Sequence, residues 1–449
     1  LAIIAKDFLV RRNRKLREHR ERLLKERSAS VAARHRIAKQ QVRKRKPTPA
    51  PGDPPRAVKR KPPAGRAKRV KKTRVKQIVD YSACPASKPG SIDFAGYNDY
   101  KCGLSKPIKV VHILESIGLG GAQVMAMELI NGLNKYYGAY CENSLLYVSW
   151  KAPKKKSRLF QSYGVDYSHA KRTEVRQWCK KNKIDIVLQH RISQSQCLKP
   201  NIPSGVKYLL VNHTWNTLFR MRDFLHCDYY ISVCQFLDRR APFQKFIHNT
   251  RKLVILNGVE NDYVPSIDTA NLAGDFKTGR CHRLVASKFK ADSLRFLGDR
   301  VIKKIPGLTH HLIGHSAEAK TLSKKFPIVH CHGSISDRTK KMSILKGLDA
   351  YYYETYGHEG ASIAILESLA CGVPVICKPL GGNAELVNNG VNGYLAGDRA
   401  EFLKGMARMA GNPKHLKILK QQTSVDFDIR LHIRHAAAKY MQVFERATQ

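Results

Sequence analysis

From Lys106 onward the sequence alternates, twice over, between short β-prone apolar runs and longer stretches with helical spacing, and this rhythm constrains the fold more than any other feature. "IKVVHIL" at 108–114 is followed by the glycine loop "ESIGLGGAQ" and by "AMELINGL", whose apolar residues recur at helical intervals. Buried-strand runs continue at "IDIVLQH", "KYLLVNH", "DYYISVC" and "KLVILNG". After "NGVENDYVP" a second set begins with "HRLVASK", "HHLIG", "IVHCHG", "LDAYYYE", "VPVICK" and "NGYLAG". Strands that alternate with helices form a parallel sheet covered on both faces. Two sets predict an α/β chain of two doubly wound, Rossmann-like domains, 107–257 and 258–428, facing a cleft that takes ligands at the carboxyl ends of the strands.

The rhythm is absent before residue 78. Residues 1–76 hold 28 Lys/Arg and 5 Asp/Glu, a net of +23, which is half of the formal +46 of all 449 residues. The segment "RRNRKLREHRERLLKERSASVAARHRIAKQ" has helical charge spacing but a sparse apolar face. Seven prolines between Pro47 and Pro63 favour extended chain. Residues 1–77 therefore read as a disordered or partly helical basic tail, joined by a linker over 78–106. Such a tail suits a solvated linker, peripheral contact with an anionic membrane, or nucleic acid, the last weakened by the lack of interleaved aromatic residues.

The eleven cysteines show no C-x-x-C pair and no zinc-like clustering, so free thiols in a reducing, cytoplasmic setting are expected, at the inner face of a membrane where the tail touches one. No apolar run approaches a membrane span, and "LAIIAKDFLV" lacks the basic-then-apolar order of a signal peptide. The chain begins at Leu rather than Met, which leaves room for a preceding segment.

Candidate chemistry concentrates in "YGHEGASIAILESLACGVPVICKPLGGNAELV", 356–387. Glu359 falls on the loop before a helix and Glu367 about two turns inside it. Eight helical residues separate two backbones by ~12 Å, wider than a hydrolytic carboxylate pair and better suited to two contacts on one elongated ligand such as a sugar nucleotide. Two solvated charges are the alternative. Gly381-Gly382 before a further helix capped by Asn383, and Gly118, Gly120 and Gly121 before the first-domain helix, offer backbone amides to a diphosphate. Arg283 and Lys288 could neutralise such an anion or lie on the surface. His213 ends a strand, where both structural and substrate-binding histidines occur. His330 and His332 share one face of a strand, with no third metal ligand evident.

Taken together, "GLGGAQ", "ILNGVEND", "HRLVASK", "HEGASIAILESLACGVPVI" and "GGNAELVNNGVNGYL" resemble glycosyltransferase family 4, the retaining nucleotide-sugar transferases of the GT-B fold. The resemblance runs from about Lys109 to the C-terminus. It implies that Glu367 binds the nucleotide ribose, Glu359 the donor sugar, and Arg283 with Lys288 the leaving diphosphate, with His213 beside the sugar. Gly120, Gly121, Gly360, Ala361, Ser362, Ile363 and Gly333 complete the implied donor contacts. It also implies no metal, no cofactor beyond the nucleotide-sugar donor, and a closing helix over 429–449 that returns to the first domain. Two departures stand out: Ala361-Ser362 replaces the family's usual Phe-Gly, and Gln123 replaces an acidic residue.

The resulting expectation is a retaining, metal-independent glycosyltransferase that moves a sugar from a UDP- or GDP-linked donor to a glycan, polysaccharide or lipid-linked acceptor. The alternatives are a transferase-like binding or assembly protein recruited by its tail to nucleic acid or acidic membrane, and a nucleotide-sugar epimerase or phosphorylase on the same fold.

Overall fold

A computed structural model describes residues 95–449 except 119, 154–156, 192–197, 215–226, 241–250, 262–274, 282–287 and 315–316. The basic tail, most of the linker and Arg283 lie outside the described residues.

Two parallel sheets carry the fold. The first has seven strands: β1 (Ile108–Leu114), β2 (Cys141–Val148), β3 (Ser168–Ala170), β4 (Ile186–Arg191), β5 (Lys207–Asn212), β6 (Tyr229–Ser232) and β7 (Lys252–Val254). Their order is β3-β2-β1-β4-β5-β6-β7. The second has six: β8 (Phe276–Cys281), β9 (Leu308–Ile313), β10 (Val329–Gly333), β11 (Ala350–Tyr353), β12 (Val375–Cys377) and β13 (Gly393–Leu395), in the order β10-β9-β8-β11-β12-β13. Both orders reverse direction beside their first strand, at β1/β4 and at β8/β11, and such switch points open a crevice at the carboxyl ends. This is the predicted two-domain GT-B architecture.

Seven helices position the site: α1 (Gly121–Tyr137), α2 (Gln235–Arg240), α3 (Arg338–Lys346), α4 (Ile363–Ala370), α5 (Asn383–Leu386), α6 (Pro413–Arg430) and α7 (Ile433–Thr448). Helix α4 is buried almost all round, because its residues Ile363, Ile365, Leu366, Leu369 and Ala370 pack into the main core together with α1. Helix α7 lies on α1, where Gly132 leaves room for Ile433.

One local expectation differs from the structure, and another falls almost wholly outside the described residues: of the predicted strand "HRLVASK" only Lys288 is described, and the eighth strand of the structure is Phe276–Cys281. Its "FKTGRC" hides a fully buried Arg280, and Gly279 is required because a Cβ there would stand 2.7 Å from Leu348 and 2.8 Å from the carbonyl of His311. Asn383 does not cap α5 but starts it; Gly382 precedes the helix, and the amide side chain of Asn383 makes no cap hydrogen bond. Among the described residues no helix is long and apolar enough to cross a membrane, and no disulfide joins two described cysteines.

Candidate active site

The loop from β11 to α4 carries Glu359 at the centre of a small hydrogen-bonded assembly. Lys288, just after β8, donates to Glu359 Oε2 at 2.8 Å, and the hydroxyl of Tyr353, the last residue of β11, donates to Oε1 at 2.9 Å. Ser362 Oγ donates in turn to the Tyr353 hydroxyl at 3.2 Å. The serine that departs from the family pattern thus steadies the group that holds Glu359, which is why it makes no cap bond to α4. Burial, with the Glu359 charge beside it, pushes the Tyr353 phenol well above its ordinary range, so it stays a donor. Arg280 fixes the approach of Lys288: its Nη2 donates to the carbonyls of Lys288 at 2.9 Å and Glu354 at 3.1 Å.

The Glu359 backbone is set by the Gly-Gly turn after β12. Gly382 N donates to the Glu359 carbonyl at 2.9 Å. Gly381 has φ +67°, and a Cβ there would collide with that carbonyl. Gly360 is as constrained, since its Cβ would lie 2.9 Å from the carbonyl of His213. The first domain therefore touches the Glu359 loop directly. Asn257 Nδ2 adds a bond to the Ala361 carbonyl at 3.2 Å, and the Glu385 carboxylate accepts from the amides of Gln235 and Phe236, both at 2.8 Å, at the start of α2.

The two helix starts meet as well. A Cβ on Gly121, the first residue of α1, would be 3.6 Å from Ile363, the first residue of α4. Gly120 precedes α1, and Gln123 Nε2 donates to the Ser116 carbonyl at 3.2 Å, bracing the glycine loop with a bond that a carboxylate could not make. Each helix start carries partial positive charge that favours an anion. Gly333 ends β10 with φ +69° and open space around its α-carbon.

Glu367 is engaged elsewhere. It lies inside α4 and pairs at 2.5 Å with Lys341 of α3, both nearly buried. Burial, the largest influence, pulls the Lys341 ammonium down, but the Glu367 charge and hydrogen bond together with Cys281 outweigh it and hold the group above its ordinary value. Beside them Glu128 of α1 pairs with Arg338 of α3 at 3.4 Å and accepts from Glu260 N at 2.8 Å. Glu359 and Glu367 thus pair with different cations.

His213 closes the first-domain side. It joins two histidines that the sequence reading did not single out: His190 Nδ1 is 3.1 Å from His213 Nε2, and His112 Nδ1 is 3.1 Å from His190 Nε2. His330 and His332 do share a face, and a third imidazole, His311 of β9, stacks on both, its Nδ1 2.9 Å from His332 Nε2. No group of metal-holding geometry occurs among the described residues. Lys341, Tyr353 and Arg280 also escaped the sequence reading. A lysine on a mostly polar helix and a tyrosine in a run of three give no signal of their partners.

The comparisons agree with this architecture. Residues 284–412 match the family model described as Glycosyl transferases group 1. An uncharacterized glycosyltransferase of Methanocaldococcus jannaschii is 27% identical over 112 residues, a match that spans 24% of this chain and 29% of that relative. Among solved structures, Anabaena HepE in complex with UDP superposes with a TM-score of 0.59 at 16% identity, covering 76% of this chain and all of that one. The pneumococcal O-GlcNAc transferase GtfA, in complex with UDP and GlcNAc, gives 0.60 at 10% identity over 76% of this chain and 99% of that one. The chain therefore has the GT-B fold, and residues 284–412 of its second domain are similar to the glycosyl transferases group 1 family.

Proposed function

We propose that the cleft binds a nucleoside-diphosphate sugar, UDP- or GDP-linked, and transfers its glycosyl group with retention of configuration and without a metal. The observation that carries this reading is the Lys288–Glu359 pair, held by Tyr353 and Arg280 at the β8/β11 switch point, next to the meeting N-termini of α1 and α4. Lys288 and the helix ends would meet the diphosphate, Glu359 the sugar hydroxyls, and Glu367 the ribose. In the transfer the bond from the anomeric carbon to the diphosphate oxygen breaks, and one to an acceptor oxygen forms on the same face. The acceptor's proton leaves with the diphosphate, whose developing charge Lys288 stabilises. HepE was also solved with UDP-glucose, which supports a donor of this class. Residues 77–449 carry 53 basic and 30 acidic residues, which favours a phosphorylated, lipid-linked or otherwise anionic glycan acceptor.

Thermal unfolding of the full chain with UDP, UDP-glucose, GDP and GDP-mannose tests the reading. Ligand at a hundredfold its Kd adds about 2.7 kcal/mol of stability, an easily read shift. Glu367→Gln, which unlike alanine keeps a polar partner for the buried Lys341, should lose the shift with every nucleotide. Lys288→Met should lose it for the diphosphates. No stabilisation by any nucleotide would overturn the proposal.

A further inference from the structure

Through the first sheet runs a straight polar diagonal. The register pairs His112 of β1 with Leu145 of β2 and with Leu188 of β4, and His190 of β4 with Val211 of β5. Asn143 is two residues before Leu145, His190 two after Leu188 and His213 two after Val211. Each polar side chain is thus displaced two residues toward the carboxyl end on the next strand, on one face, and rings at diagonal positions can touch.

They form one hydrogen-bonded chain. Asn143 Oδ1 lies 3.1 Å from His112 Nε2, and the two imidazole–imidazole contacts follow at 3.1 Å each. The rings stack with centroids 5.4 and 5.3 Å apart. Asn143 Nδ2 is already committed to Asn134 Oδ1 at 2.9 Å and Cys141 Sγ at 3.2 Å, so the carbonyl oxygen faces His112 and can only accept. Burial holds all three imidazoles below their ordinary range, His112 at about 4 and His213 at about 3, and His190 also lies well below it as its two neighbours add to the effect of burial, so each carries one proton near neutral pH. Three protons serve three contacts. His112 Nε2–H must donate to Asn143, His190 Nε2–H to His112 Nδ1, and His213 Nε2–H to His190 Nδ1. The sixth ring nitrogen, His213 Nδ1, then holds a lone pair and makes no hydrogen bond with the described residues, on a residue more than nine-tenths buried whose carbonyl abuts Gly360.

The geometry points to a tautomer-fixing chain: Asn143, His112 and His190 are positioning residues that lock His213 as the Nε2–H imidazole, whose Nδ1 accepts a hydrogen bond from a hydroxyl of the bound sugar. The sugar half rests on the function proposed above, and the tautomer half does not. An Nδ1 acceptor favours a hydroxyl-bearing ligand over one that presents only oxygen acceptors, and the preference is written into the sheet four strands deep.

The test is two-bond 1H–15N spectroscopy of the full chain labelled with 15N-histidine, with His213→Gln for assignment. Near neutral pH the three rings should show N–H at Nε2 and a lone-pair nitrogen at Nδ1. UDP-glucose or GDP-mannose should move the His213 Nδ1 signal, and UDP or GDP alone should not. Asn143→Leu, which removes the terminal acceptor, should mix the His213 tautomers and weaken sugar-nucleotide binding about five- to tenfold, the worth of one hydrogen bond, leaving nucleoside-diphosphate binding unchanged. Asn143→Asp should restore both. An Nδ1–H or doubly protonated His213 in the wild type overturns the inference while nucleotide binding stands. Equal responses to UDP and UDP-glucose overturn its sugar half, and no nucleotide binding at all overturns the proposed function itself. Should Asn143→Leu fail to fold, the wild-type spectra still decide.

Discussion

At the scale of single residues the site depends on backbone positions as much as on its charges. Gly381 is the clearest case, because its φ of +67° and the Glu359 carbonyl behind it both exclude a side chain. A left-handed conformation costs a residue with a Cβ roughly 1–2 kcal/mol, and the collision adds to that by displacing the Glu359 loop. Gly381→Ala should therefore lower unfolding free energy by at least that amount in urea titration and abolish stabilisation by any nucleotide-sugar. Gly390, with φ +81° and nothing within reach of a Cβ, is the control: its alanine variant should pay only the conformational cost and keep the ligand response. The glycine pair was legible in the sequence, since Gly-Gly before a helix signals close backbone approach. The partner it approaches was not, because contacts between residues 359 and 381 depend on how two loops stack across β11 and β12.

At the scale of elements, short helices are fixed by side chains from distant parts of the chain. Helix α2 has six residues, too few to hold itself, and two of its leading amides donate to Glu385 at the end of α5. Burial raises the Glu385 carboxyl, and the two amides pull it back, so the cap works against its own desolvation. Glu385→Ala should cost about 1–2 kcal/mol in chemical unfolding, and Glu385→Gln, which still accepts, clearly less. The strand-and-helix rhythm located most strands of both sheets, because buried parallel strands read as apolar runs. It passed over β2, "CENSLLYV", whose first half is polar, and β8, whose interior holds Gly279 and Arg280. Both are cases in which partners across the sheet, not local propensity, made the strand. The polar diagonal of Asn143, His112, His190 and His213 was illegible for the same reason. Its members are spread from residue 112 to residue 213 and align only once the register is known.

At the scale of the molecule, a buried charge cluster binds the first domain to the second. Glu128 of α1 faces Arg338, Lys341 and Glu367 from α3 and α4, and the Glu260 amide from the segment after β7. Burial is the largest influence and raises Glu128 from 4.5 to about 7, with Glu367 adding repulsion and Arg338 offsetting only part. A carboxyl raised on folding stabilises fully below its unfolded value, and that contribution fades as pH climbs toward 7. The histidine diagonal acts in the opposite sense. Its folded values lie below 6.5, so the unfolded chain binds more protons and stability falls as pH drops beneath that point. The two slopes oppose between about 4.5 and 6.5, and wild-type stability alone would hide both. Comparison with Glu128→Gln separates them, because the variant keeps the histidines and loses the carboxyl. Relative to wild type it should gain stability from pH 4.5 to 7 and then level off, by up to ~3 kcal/mol at one pKa unit per ~1.4 kcal/mol. Urea unfolding of both proteins at pH 5 and pH 8 measures the difference. A gap that does not widen between those two values would mean that Arg338 holds Glu128 ionised throughout, and that the two domains are joined there by a fully formed ion pair.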